Sequence, residues 1–160
     1  MKPVKVIIET PRGSSEKYAY DKEHGLFGLK KILPAGMSFP YDFGFFPDTK
    51  GGDGDPVDVL VISEFKSFPG CMMDCRLIGV LLAEQKSKEG KERNARFFAV
   101  PVLSTVFKDL ISLDDVPKRE MNDITNFFVT YNQEEGKEFN PLKMLNPREA
   151  GKLYKKYRLN

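Results

Sequence analysis

The sequence predicts an α+β fold, a curled or closed sheet with helices at one side. Two observations carry the prediction. From Val4 to Val102 apolar residues recur at the two-residue period of a strand, in runs punctuated by Gly, Pro and Asp turns. From Pro117 onward the period lengthens to that of a helix and stays there in two separate stretches. No repeat or low-complexity segment breaks this order. The 160 residues are expected to form one domain, 1–160, with a sizeable core.

Each element follows from its residues. Val4, Val6 and Ile8 alternate with Lys5, Ile7 and Glu9, which predicts a first strand over Val4–Glu9. Pro11–Ser15 is a loop, and Lys17–Asp21 a second strand with Tyr18 and Tyr20 on one face. Asp21–Gly25 is a hairpin connection into a third strand, Leu26–Leu33, which Pro34-Ala35-Gly36 ends. Ser38–Phe46 is an aromatic strand with Phe39, Tyr41, Phe43 and Phe45 on one side. Pro47–Gly52 is a turn-rich loop, and Val57–Ile62 the strand beyond it. Phe68-Pro69-Gly70 is a turn. Met72–Gln85 reads as one long strand, Lys86–Glu92 as a charged hairpin tip, and Arg96–Val102 as the return strand. Met121, Ile124, Phe128 and Tyr131 form one helical stripe after Pro117. Asn146-Pro147-Arg148-Glu149 has the N-cap, first-position Pro and third-position Glu of a helix start, and Ala150, Leu153, Tyr154 and Tyr157 supply its stripe.

The bulk numbers exclude more than they assign. A formal net charge of +2 does not advertise a nucleic-acid partner. The longest apolar run, Leu77–Ala83, is far short of a membrane span. The N-terminus lacks a secretory pattern, so the expected compartment is the cytoplasm. Cys71 and Cys75 are the only cysteines; four strand steps span roughly 13 Å, beyond disulfide reach. They read as reduced thiols, and the single histidine, His24, as a solvated turn residue.

Chemistry concentrates in Asp53-Gly54-Asp55-Pro56-Val57-Asp58-Val59-Leu60-Val61-Ile62. Three carboxylates fall within six residues. Gly54 permits a sharp turn and Pro56 fixes the strand entry. Alternation puts Asp58 on the face of Leu60 and Ile62, where an ionised carboxylate needs a partner or a cation. Convergence of the three at the mouth of a sheet would make a hard-oxygen site for Mg²⁺, Mn²⁺ or Ca²⁺. A calcium-binding EF-hand loop is a poor fit: Asp53, Asp55 and Glu64 have its spacing, but Asp58 stands where its glycine must be and the flanks read as strand. Around the cluster lie Glu9 at the end of the first strand, Lys17, Lys30 and Lys31 on the next two, Arg96 on the return strand and Tyr131 on the helix stripe. Carboxylates with metals, ringed by cations, suit a polyanion, with two divalent ions sharing Asp58 activating water for in-line attack on phosphorus.

These residues resemble the family I soluble inorganic pyrophosphatases. Asp53 to Val61 fits the pattern D-x-D-P-x-D-x-x-V. The likeness extends through Val6–Pro11, Lys17-Tyr18, Met37–Gly44, Arg76–Leu81 and Phe127–Tyr131, nearly the whole chain. The resemblance implies a five-stranded OB-like closed β-barrel with two main helices packed outside. It implies Mg²⁺-dependent hydrolysis of inorganic diphosphate to two orthophosphates, with Mn²⁺ as a second candidate ion, in a homo-oligomer that needs neither nucleic acid nor membrane. By position, Asp53 and Asp58 would bind metal together with Asp55. Asp55 would orient or deprotonate the attacking water and Glu9 would support the water network. Lys17, Lys31, Arg96 and Tyr131 would contact substrate.

Lys31 stands where the family usually has Arg and Arg96 where it usually has Lys, and five further positions lose a family residue. Ala19 replaces a metal-ligating Glu, Phe43 a phosphate-reaching Tyr, and Asn132 a Lys. Gln85 and Asn94 fall near two metal-binding Asp positions of the long hairpin. A lost carboxylate weakens cation affinity, so two alternatives stand beside hydrolysis. One is a catalytically weakened metal- and phosphate-binding module of the same fold. The other is an OB-fold binder of single-stranded nucleic acid using the aromatic strand as a stacking platform.

Overall fold

The computed structural model describes residues 1–160. Seven strands precede the first helix: β1 Val4–Thr10, β2 Glu16–Asp21, β3 Leu26–Ile32, β4 Asp42–Phe45, β5 Asp58–Val61, β6 Met72–Ser87 and β7 Gly90–Pro101. A short 3₁₀ turn, Leu113–Asp115, leads to α1 Lys118–Glu134, then β8 Glu138–Leu145 and α2 Pro147–Tyr157. Six strands form one sheet in the order β1-β4-β5-β7-β6-β8, and β1 is also hydrogen-bonded to β6. β2 and β3 form a separate two-stranded ribbon.

The two strand faces bury different clusters, as alternation requires. Leu60, Ile62, Phe98 and Val100 pack beneath Met121, Ile124 and Phe128 of α1. Val57, Val59, Val61, Phe97 and Ala99 pack with Ala150 and Tyr154 of α2. A β-bulge in β6 between Leu77 and Gly79 keeps apolar residues on both faces of that long strand. Gly79 is required there: a Cβ would lie 2.8 Å from the Leu145 carbonyl oxygen and 2.7 Å from the Leu113 side chain. The α2 start has the reciprocal Asn146–Glu149 capping box its sequence announces.

The residue pattern predicts seven strands and the resemblance a barrel of five; the chain has eight strands in all, the addition being β8. β8 escaped because Pro141 lacks an N–H and argues against a strand. It is tolerated because β8 ends the sheet order and slips register opposite Leu82 and Ala83. The aromatic strand is shorter than its pattern, only Asp42–Phe45. Conversely, β6 and β7 run into the charged segment, leaving Lys88 and Glu89 as the hairpin loop.

Cys75 lies on β6 opposite Val4, fully buried, and burial pushes its thiol up to about 12. Cys71 is a free, half-buried thiol just before β6. At pH 8 a thiol reagent should therefore modify one cysteine of the native protein, Cys71, and both after denaturation; peptide mapping reads the result. Equal native labelling of Cys75 would contradict this packing.

Candidate active site

Three elements bring a cation to a carboxylate. Thr10, at the end of β1, clips β2 in place: its hydroxyl donates to the Tyr18 carbonyl (3.1 Å) and accepts from the Tyr18 N–H (3.1 Å). The preceding residue, Glu9, thereby meets Lys17, whose Nζ donates to Glu9 Oε2 at 2.9 Å with both side chains mostly buried. β5 and β7 run parallel with Val59 opposite Phe97, which sets Asp58 beside Arg96, and the guanidinium donates to the Asp58 carboxylate. On β3, Lys31 reaches the C-terminal end of α1 and donates to Glu135 at 2.9 Å, its Nζ 4.0 Å from the centroid of the Tyr131 ring.

These groups influence one another. Burial, then the Glu135 carboxylate, pushes the Tyr131 hydroxyl well above the ordinary tyrosine range; Arg96 opposes, while Asp58 and Glu9 add to the rise. Tyr131 therefore remains a hydroxyl donor at neutral pH. Arg96 is almost wholly buried, and its Nε has no acceptor. A buried, unsatisfied guanidinium donor is costly.

Glu135 was missed in the sequence, because a glutamate in a helix-ending Glu-Glu-Gly has no distinguishing pattern. Its burial raises its carboxyl, but the hydrogen bond and charge of Lys31, with Lys137 and Lys30, outweigh that and hold it below the usual range. A lowered folded value makes the contribution complete above the unfolded value near 4.5 and removes it as pH falls through the folded value. Stability curves of wild type and Glu135→Gln should thus be offset by a constant amount at pH 6–8 and converge on acidification below roughly pH 4. An offset that grows toward acid would reverse the assignment.

Asp53 and Asp55 stand exposed on the loop before β5. The loop turns at Gly54, at φ +90°, and Asp53 Oδ1 accepts the Asp55 N–H at 3.0 Å. Its base is tied by Thr49, which donates to the Phe46 carbonyl and accepts from the Val57 N–H. Neither carboxylate has an ion-pair partner, whereas Asp58 does. The one group of three donors lying within 4.8 Å of each other is Asp21, Glu23 and His24. That exposed group sits in the β2–β3 turn, where Asp21 accepts the backbone N–H groups of Glu23 and His24 and lies 2.6 Å from His24 Nδ1. Asp53, Asp55 and Asp58 line the same loop and strand mouth without forming such a tight group, since Asp53 turns back on its own loop and Asp58 is drawn to Arg96.

The variant positions have local partners. Asn94 donates to Gln85 across the β6–β7 hairpin. Asn132 is buried and donates to the Phe128 carbonyl at 2.7 Å, so the helix itself absorbs it. Glu84, on the other face from Gln85, is 3.6 Å from Lys91. Phe39, Tyr41, Phe43 and Phe45 are all buried and offer no exposed stack for bases.

The fold is a mainly β, α+β one in which the buried cations Lys17 and Arg96 each pair with a carboxylate, and an exposed acidic loop leads into the strand that carries Asp58. The chain belongs to the inorganic pyrophosphatase family, whose profile, described as Inorganic pyrophosphatase, spans residues 6–159. It is 42% identical over 136 residues to the inorganic pyrophosphatase of Halalkalibacterium halodurans, covering 85% of this chain and 81% of the relative. It is 37% identical over 152 residues to that of Geobacillus stearothermophilus, covering 95% and 90%. Among solved structures, the Thermus thermophilus inorganic pyrophosphatase superposes with a TM-score of 0.87 at 32% identity, over 96% of this chain and 88% of that one. The Helicobacter pylori enzyme gives 0.89 at 31% identity, over 98% and 91%.

Proposed function

We propose that this protein hydrolyses inorganic diphosphate to two orthophosphates with Mg²⁺, Mn²⁺ being the second candidate ion. The observation that carries the reading is the arrangement of two buried cations, Lys17 paired with Glu9 and Arg96 with the half-buried Asp58, beside Lys31 and Tyr131 at the strand that the acidic loop enters. The donor set fits a hard divalent cation, because Asp53 and Asp55 are exposed oxygen donors with no cationic partner and Asp58 is only half-buried. Asp53, Asp55 and Asp58 would hold the ion, which supplies Lewis acidity toward phosphoryl oxygens and acidifies water.

The chain's own residues do the rest. Lys17, Lys31 and Arg96 bind the diphosphate and neutralise the charge that develops on its departing half. The Arg96 guanidinium and the Tyr131 hydroxyl donate to phosphoryl oxygens. Asp55 orients the attacking water and takes its proton; Glu9 steadies that water and keeps Lys17 in place. Water oxygen bonds to one phosphorus, the bridging P–O bond breaks, and the bridging oxygen leaves with the other phosphate. Hydrolysis is favoured over the weakened binding module because Glu9, Lys17, Asp53, Asp55 and Asp58 are all present.

The hydrogen-bonded circuit β1-β4-β5-β7-β6-β1 supports reading the fold as the five-stranded OB-like barrel, with β8 and the β2–β3 ribbon added, in a single domain 1–160. Exposed Leu26, Leu29 and Ile32 on β3 support a homo-oligomer. The cytoplasm is the proposed compartment; no helix is long and apolar enough to cross a membrane. Phosphate release from inorganic diphosphate, measured with Mg²⁺, with Mn²⁺ and with chelator, tests the activity. Release with either ion and none with chelator is expected; no release with either ion overturns it.

A further inference from the structure

We infer that Phe43 is a positioning residue of the substrate site, acting through the face of its ring. The inference rests on the proposed diphosphate chemistry and concerns how two like charges are held ready for it. Lys17 Nζ lies 4.5 Å from the Phe43 centroid and the Arg96 guanidinium carbon 5.8 Å from it. Both cations are more than nine-tenths buried. Each has one carboxylate partner, Glu9 or Asp58, too few to replace the hydration a buried cation gives up. Aromatic ring faces lie within cation–π range of both. Phe39 is 5.9 Å from Lys17, Phe128 is 5.3 Å from Arg96, and Phe43 is the one ring that serves both.

β4 places it there. Phe43 pairs with Leu60 while Phe45 pairs with Asp58, so Phe43 lies one strand over and one step inward on the Asp58 face. A benzene ring attracts cations through its quadrupole and has no hydrogen-bond acceptor. It therefore stabilises Lys17 and Arg96 without taking up their N–H groups as a hydrogen-bond acceptor would. A tyrosine hydroxyl is not needed for this, which accounts for a phenylalanine at this position.

The test replaces Phe43 by 4-fluoro-, 3,5-difluoro- and 3,4,5-trifluorophenylalanine, which weaken the quadrupole at nearly constant shape, and by Tyr and Leu. KM for diphosphate should rise stepwise with fluorination, reaching roughly tenfold for the trifluoro ring and for Phe43→Leu, with kcat changed far less. Phe43→Tyr, which keeps the ring, should bind diphosphate at least as tightly as the wild type. Titration with methylenediphosphonate, which cannot be hydrolysed, should show the same order of Kd. A flat KM and Kd across the fluorinated series overturns the proposal, as does a loss confined to thermal stability in Phe43→Leu. If the wild type binds methylenediphosphonate but releases no phosphate from diphosphate, the hydrolytic reading fails while the Kd series still decides the role of Phe43. If it binds none, both fall.

Discussion

Asp55→Asn should lower phosphate release from diphosphate by roughly two to four orders of magnitude, the range typical of a lost general base. Asp55 is exposed, and its only hydrogen bonds are those of its backbone, an N–H to Asp53 and a carbonyl accepting from Gly51. The near-isosteric amide leaves both intact, so the thermal midpoint should not move. Asn can offer a cation one neutral oxygen but cannot accept a proton at neutral pH. The deficit should persist when Mg²⁺ is raised well beyond saturation of the wild type. A matching Asp53→Asn variant should regain part of its rate under the same condition, because its loss is one of ion affinity alone. Equal rates for wild type and Asp55→Asn would remove Asp55 from the chemistry.

The charge pairs explain why some of this site was legible in the chain and some was not. Asp58 declared itself because a carboxylate among Val57, Val59, Leu60 and Val61 needs a partner. The identity of that partner depends on a parallel pairing between strands nearly forty residues apart in sequence, which local pattern does not encode. Lys17 and Glu9 were readable as candidates, but their contact depends on the Thr10 clip. The helices were legible because stripe and capping are both local: Met121, Ile124 and Phe128 are buried as their spacing requires. Strand limits were less so, since charged residues such as Lys86 and Lys91 pair on an exposed ribbon where no core selects them. Family resemblance contributed the roles. The structure contributed the aromatic surroundings of the cations and the Glu135 counterion, both products of packing.

Gly44→Ala should be the most damaging single methyl in the chain. Gly44 lies on β4 between Phe43 and Phe45, opposite Ile8 of β1, at a crossing where the two backbones nearly touch. A Cβ there would lie 2.2 Å from the Ile7 carbonyl oxygen and 3.1 Å from the Ile8 Cα. Those atoms are backbone, so no rotamer change relieves the clash; β1 or β4 must move. Overpacking of this kind costs about 3 kcal/mol, which in a domain of this size lowers the thermal midpoint by roughly 10 °C. Both directions of relief damage the site. Shifting β1 draws Glu9 away from Lys17, and shifting β4 moves the Phe43 ring away from Lys17 and Arg96. Phosphate release well below the melting transition should therefore fall along with stability. A variant destabilised by a similar amount away from β1, β4 and the site, such as Leu77→Ala on β6, should lose stability while retaining its rate at the same low temperature. If Gly44→Ala melts with the wild type, β1 and β4 do not approach as closely as described.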